Sequence, residues 1–256
     1  MQAHRIVGAH PVVRAIADTA ERLARSGAAV ALVGERGTGK ELLARCLHAA
    51  GGRPEERCLR IDGAEPSVER LEHELFTHDG GWRRARGGTL LLDDLASLPL
   101  DLQLRLRDDL RAADQCPQVV ATLHDELAAA ARAGRLAEPL IELLRPIEVV
   151  LPALRQRRAD IPLLVDHFLA VYGERHGVGL RSVEPEALVR LWQYDWPGNV
   201  RELESVIERV VVLCARRAVR LGDLPAEVRS ATSARPVAPP LSAAITYPGP
   251  HLRPTF

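Results

Sequence analysis

Lysine is all but missing from this chain: of its 34 basic residues only Lys40 is lysine, and the other 33 are arginine. Arginine therefore carries every generic surface charge. The one position that keeps lysine needs a compact ammonium on a flexible stem rather than a planar fork. Cysteine is scarce as well. Cys46, Cys58, Cys116 and Cys214 lie far apart with no C-x-x-C pair, which argues against a disulfide framework or a zinc site and for free thiols in a reducing compartment. No apolar run approaches the roughly 20 residues of a membrane-spanning helix. The opening Met1-Gln2-Ala3-His4-Arg5 lacks the layout of a secretory signal. Net charge is also absent, 34 acidic residues balancing the 34 basic ones, which argues against a strongly electrostatic nucleic-acid binder or a membrane-surface protein. The expected location is the cytoplasm.

What is present is an apolar content of 46% over 256 residues, enough for the core of one α/β domain and a smaller appended one. Apolar residues at helical spacing run from Pro11 to Arg25, followed by a strand at Ala28–Val33, a glycine-rich turn, and a helix at Glu41–Ala50. Further strands are predicted at Cys58–Ile61, Thr89–Leu92, Gln118–Thr122 and Ile147–Leu151. Helices at Val68–Phe76, Pro99–Ala113 and within 124–145 separate them. Strands alternating with helices predict a parallel sheet flanked by helices. After Pro152 the strand patterns stop, and three helices are predicted at Ile161–Arg175, Pro185–Tyr194 and Asn199–Ala215. The expected organisation is an α/β domain over 1–152, a helical domain over 153–229, and a disordered Pro/Ala/Ser-rich tail over 230–256.

Gly34-Glu35-Arg36-Gly37-Thr38-Gly39-Lys40 fits the first seven positions of the phosphate-binding loop and sits between a strand and a helix. The glycines let backbone N–H groups turn toward phosphate oxygens, and the helix N-terminus adds partial positive charge. Lys40 would reach the β- and γ-phosphates of ATP. A glycine-rich turn with an incidental lysine is the competing reading. The eighth position, normally Ser or Thr for magnesium, is Glu41, which leaves Mg2+ to the acidic strand end at Asp93. Asp93-Asp94 after an apolar strand has the Walker B layout, against the plainer reading of two helix-capping carboxylates.

With these residues in hand, the chain resembles the AAA+ domain of bacterial sigma-54-dependent transcription activators. The stretches that carry the likeness are Gly34–Leu42, Glu74-Leu75-Phe76, Gly87–Asp94, Leu151–Arg155, Arg158–Leu164 and, most specifically, Tyr194-Asp195-Trp196-Pro197-Gly198-Asn199-Val200-Arg201-Glu202-Leu203. Glu41 is also usual in that family. The resemblance implies a five-stranded P-loop sheet, a small all-α lid, ring assembly, ATP or ADP with Mg2+ as ligands, and Arg201 as the sensor on the γ-phosphate.

The departures from the family are as informative. The loop by which its members contact the sigma factor belongs after Glu74–His78, but only Asp79–Arg86 separate His78 from Gly87. The water-orienting glutamate aligns with Asp94, shorter by one methylene. Such a shortening retracts the carboxylate by about 1.5 Å, a displacement that can cost on the order of 100-fold in rate. The sensor asparagine aligns near Leu123-His124, and the two trans-acting arginines align with Ala137 and Leu143. Arg145 lies nearby but is expected to face elsewhere on a helix. No helix-turn-helix pattern follows the lid and no receiver pattern precedes Ile6. The arginine runs 83–86, 155–158 and 216–217 read as solvated faces. The resulting expectation is an ATP-binding regulatory module that acts on transcription through protein partners. Weak or no hydrolysis, no direct sigma-54 or DNA contact, and homo- or hetero-oligomer formation go with it. An active remodelling ATPase and a nucleotide-free interaction domain are the alternatives.

Overall fold

The computed structural model describes residues 6–77, 81–178, 182–214 and 218–230. The expected tail beyond Ser230, His78 to Gly80 of the shortened loop, and Arg216-Arg217 lie outside them. Ser230 itself closes the last helical turn, its N–H donating to Ala226. The chain divides into two compact units, one of Ile6 and Pro11–Pro152 and one of Val7–His10 with the residues from Ala153 onward.

In the first unit five parallel strands, β1 (Val30–Val33), β2 (Cys58–Asp62), β3 (Thr89–Asp93), β4 (Gln118–Leu123) and β5 (Ile147–Val150), stack in the order β2-β3-β4-β1-β5. Helices α1 (Pro11–Ser26), α2 (Lys40–Ala50), α3 (Val68–Phe76), α4 (Leu100–Arg111), α5 (Leu127–Arg132) and α6 (Glu138–Leu144) connect and cover them. The three central strands are buried along their length apart from Asp93, as their near-continuous apolar sequences require of a sheet covered on both faces. Side chains alternate across it. Val30, Leu32, Leu91 and Val120 pack with Ala20 and Leu23 of α1 and Leu43 and Leu47 of α2. Ala31, Val33, Leu90, Leu92, Ala121 and Leu123 face the opposite cluster with Leu71 and Leu75 of α3, Leu106 of α4 and Leu140 of α6.

The short segment before β3 is tied into that second cluster. Trp82 is buried within it and donates its indole N–H to Asp109 at 3.1 Å. Gly81, at φ 62°, crosses the end of α3 so closely that a Cβ would lie 2.0 Å from the Leu75 carbonyl. Arg83 and Arg86 lie over the Trp82 ring and Arg83 also pairs with Asp109, so two of this run's three arginines have protein partners.

The second unit packs α7 (Ile161–His176), α8 (Pro185–Gln193), α9 (Asn199–Leu213) and α10 (Ala226–Arg229) around Trp196, Leu191, Leu203 and Ile207. Strands do not stop entirely at Pro152: β6 (Ser182–Val183) and β7 (Ala218–Val219) form a two-residue parallel ladder in this otherwise helical unit. The turn into α9 explains the distinctiveness of its sequence. Trp196 and Asn199 both hold left-handed backbone, at φ 51° and 54°. Buried Asn199 accepts from the Leu154 N–H, the Trp196 indole donates to Leu191, and Glu202 accepts from the Gly198 N–H at the start of α9. Arg157 and Arg158 are not solvated. Arg157 is buried beside Asp160, and Arg158 donates to the Trp192 and Tyr194 carbonyls and to Asp195. Asp160 in turn receives the N–H groups of Ala9 and His10 at 2.6 and 2.9 Å, which fastens residues 7–10 to this unit.

Candidate phosphate site

Three strand ends converge at the carboxyl edge of the sheet, where ligands bind in open parallel α/β folds. β1 leads into Gly34, β3 ends at Asp93, and β4 ends at Leu123 before His124. The loop begins within the ladder, with the Gly34 N–H donating to Leu123. Gly34, Gly37 and Gly39 have φ of 155°, 76° and 104°, in the left-handed region that side chains avoid. At Gly34 a Cβ would also meet the Leu151 carbonyl at 2.7 Å. Thr38, nearly fully buried, donates its hydroxyl to the Glu35 carbonyl and braces the turn. Helix α2 then opens at Lys40, so its free N–H groups cap the loop.

Lys40 reaches back over this cradle. Its ammonium donates to the carbonyls of Gly34 and Glu35 and lies 3.4 Å from His124 Nδ1. Burial lowers its pKa from 10.5 to about 8, a pull that Asp93, Asp94 and Glu35 oppose and Arg36 assists. The structure thus brings the Gly34 and Glu35 carbonyls, Asp93 and Asp94 to bear on one ammonium, while Glu41 turns to Arg45. Arg201 stands exposed in the first turn of α9, in the helical unit.

Asp94 sits in left-handed backbone at φ 53° and is mostly buried. Its N–H donates to the Thr122 hydroxyl, and one carboxylate oxygen accepts from Ser97 in the same turn. That oxygen lies 3.6 Å from His124 Nε2, while Arg36 Nε approaches the same ring nitrogen at 3.3 Å. The carboxylate is therefore engaged locally, with His124 packed between it and Lys40. Thr122, Ser97 and His124 form a lining that sequence reading only touched, through the alignment at Leu123-His124.

At the trans-acting positions the surroundings differ. Ala137 is buried at the start of α6 with its N–H held by the Gln103 side chain, whereas Leu143 is exposed. Arg145 is not a helical residue: it caps α6 in left-handed backbone at φ 42°. Its direction follows from that cap and not from the helical projection assumed for it.

The donor set does not fit a magnesium ion. Thr122 donates to one oxygen of Asp93 at 2.6 Å and Arg60 of β2 to the other at 2.5 Å. Burial is the largest influence on the Asp93 carboxyl and pushes its pKa up, but the hydrogen bonds from Arg60 and Thr122 and the charges of Arg60 and Lys40 outweigh it and hold it below the usual value. Glu41 pairs with Arg45 at 2.9 Å and lies 4.0 Å from Arg60. Among the described residues no three His, Cys, Asp or Glu side chains gather as metal ligands. Sequence reading gave Asp93 to Mg2+ and missed Arg60, whose only signal is a charge inside the otherwise apolar run Cys58-Leu59-Arg60-Ile61.

Comparison with known proteins agrees with this architecture. The sigma-54 interaction domain family matches residues 6–149, and the AAA+ ATPase lid domain matches residues 155–239. The transcriptional regulatory protein ZraR of Escherichia coli K12 is 35% identical over 251 residues, covering 88% of this chain and 56% of ZraR. The DNA-binding transcriptional regulator NtrC of the same strain is 35% identical over 252 residues, covering 90% of this chain and 54% of NtrC. The chain thus spans about half the length of these curated relatives. The crystal structure of NtrX from Brucella abortus in complex with ATP superposes with a TM-score of 0.77 at 30% identity, over 88% of this chain and 57% of NtrX. With the family matching more than half of the sequence, the chain belongs to the sigma-54 interaction domain family and has its AAA+ fold.

Proposed function

We propose that this chain is a nucleotide-binding regulatory module that binds ATP or ADP at the Gly34–Lys40 loop, hydrolyses ATP weakly or not at all, and acts on transcription through protein partners in the cytoplasm. The observation that carries this reading is the chain's only lysine, positioned over a glycine cradle at the mouth of a parallel sheet. The NtrX structure with ATP, of the same fold, supports it. In this reading the loop N–H groups and Lys40 hold the phosphates. Asp94, short and bonded within its own turn, orients the attacking water poorly, and with no arginine at 137 or 143 a neighbouring subunit supplies little charge to the transferring phosphoryl group. Calorimetric titration of ATP into the wild type and Lys40→Ala tests the binding half. We expect micromolar-range affinity for the wild type and a loss of at least about tenfold, or roughly 1.4 kcal/mol, in the variant. Equal affinities for the two proteins would reject it.

A working ATPase that remodels transcription machinery is the second reading, and His124 favours it. The imidazole lies 3.4 Å from Lys40 and 3.6 Å from Asp94, a place from which it could hold the water that the aligned asparagine holds elsewhere in the family. Turnover separates the two readings.

A further inference from the structure

A phosphate-loop protein ordinarily leaves its strand-end aspartate to a divalent cation, and here that aspartate is already occupied. Arg60 donates to Asp93 and stands 4.0 Å from both Glu41 and Asp62, so one guanidinium is gathered by three carboxylates. The register explains how it arrives. Ile61 of β2 lies opposite Leu92 and Asp62 opposite Asp93. Arg60, two residues before Asp62 and on the same face, extends along β2 to the end of β3. Its side chain is 43% exposed and that of Asp93 23% exposed, so the pair sits at the rim of the site and not in the core. The second oxygen of Asp93 is held by Thr122, which is itself fixed by the Asp94 N–H. A magnesium ion needs oxygen ligands in octahedral array at about 2.0–2.1 Å. To enter here it would have to displace a guanidinium fixed by a charge-assisted hydrogen bond, or share a carboxylate with a like charge.

We propose that the ligand of this site is the metal-free nucleoside di- or triphosphate, with Arg60 as the built-in cation in place of magnesium. The proposal rests on the nucleotide-binding reading above and extends it. A guanidinium supplies one positive charge with directed donors, enough to offset the Asp93 carboxylate that would otherwise face the phosphates. It does not supply the second charge or the ordered water that a metal brings to phosphoryl transfer. A site built this way holds a nucleotide without being equipped to cleave it.

The test is calorimetric titration of ATP and ADP into the full chain, once in EDTA and once in millimolar Mg2+. For the wild type the two affinities are expected to agree within about threefold, under 1 kcal/mol. Arg60→Gln is expected to bind at least about tenfold more weakly in EDTA and to regain most of that in Mg2+. Arg45→Gln removes an equal charge that also contacts Glu41 but not Asp93, and should remain as indifferent to metal as the wild type. A wild type that loses tenfold or more on chelation overturns the proposal without need of any variant. So does an Arg60→Gln protein that stays indifferent to metal. Lys40→Ala separates this failure from the broader one: binding that is metal-dependent yet lost in Lys40→Ala keeps the nucleotide reading and removes only Arg60's role. The absence of any Lys40-dependent binding in both buffers removes both.

Discussion

Lys40 is where the chemistry of single residues has the most direct consequence. Its pKa of about 8 puts the loss of its charge within ordinary working range. Phosphate binding needs the ammonium, so affinity is expected to be level below pH 8 and to fall above it, by about tenfold at one pH unit above the pKa. Stability moves the other way. A lysine whose folded pKa lies below its unfolded value of 10.5 leaves the unfolded chain holding more protons between those limits. Lys40 therefore adds stability as pH rises from about 8 to 10.5. Titration of ATP at pH 7 and pH 9 checks the first effect, and a flat affinity across that interval would mean that the ammonium does not face the phosphates. The hydroxyl of Thr122 works at the same scale. It accepts from the Asp94 N–H and donates to Asp93, fixing the two strand-end carboxylates relative to one another.

At the scale of elements, the helical unit is held at its entry by Asp160, which is fully buried, receives two backbone N–H groups from residues 9 and 10, and lies 3.9 Å from buried Arg157. Asp160→Ala would remove a buried carboxylate that receives two backbone N–H groups and faces the buried Arg157 guanidinium, and breaking a buried ionic arrangement of this kind typically costs about 3–5 kcal/mol. Urea unfolding of the variant should show that loss, and a cost below about 1 kcal/mol would mean that the pair is solvated. The sequence placed most elements within a residue or two, because central strands such as Leu90–Leu92 and caps such as Ser67, which accepts from Arg70, announce themselves locally. Segments whose shape depends on distant partners were not legible. Trp82 reads as one aromatic in an arginine-rich loop until Asp109 and the sheet core receive it. Arg157 reads as surface until Asp160 is placed beside it. Arg60 reads as an edge-strand charge until the parallel register brings it to Asp93. The glycine cradle, by contrast, was legible residue by residue, since left-handed backbone at Gly37 and Gly39 is written in the residue type itself.

For the whole molecule, the chain matches its curated relatives over about half their length, 56% of ZraR and 54% of NtrC, and its activity is a matter for this segment's own residues. Where the family's sigma-contacting loop belongs, residues 81–86 are drawn down onto the core by Trp82. Alone, this chain is therefore expected not to activate sigma-54-dependent transcription. An open-complex assay with purified components checks this, and ATP-dependent transcripts would contradict it. The central claim, a nucleotide site that binds far better than it cleaves, is met most directly by steady-state phosphate release from the purified chain at saturating ATP, with Lys40→Ala alongside. The expected rate lies at least about 100-fold below the ~1–100 s⁻¹ of efficient phosphoryl-transfer enzymes. Turnover within that range, abolished in Lys40→Ala, would contradict the account and make this chain a working ATPase.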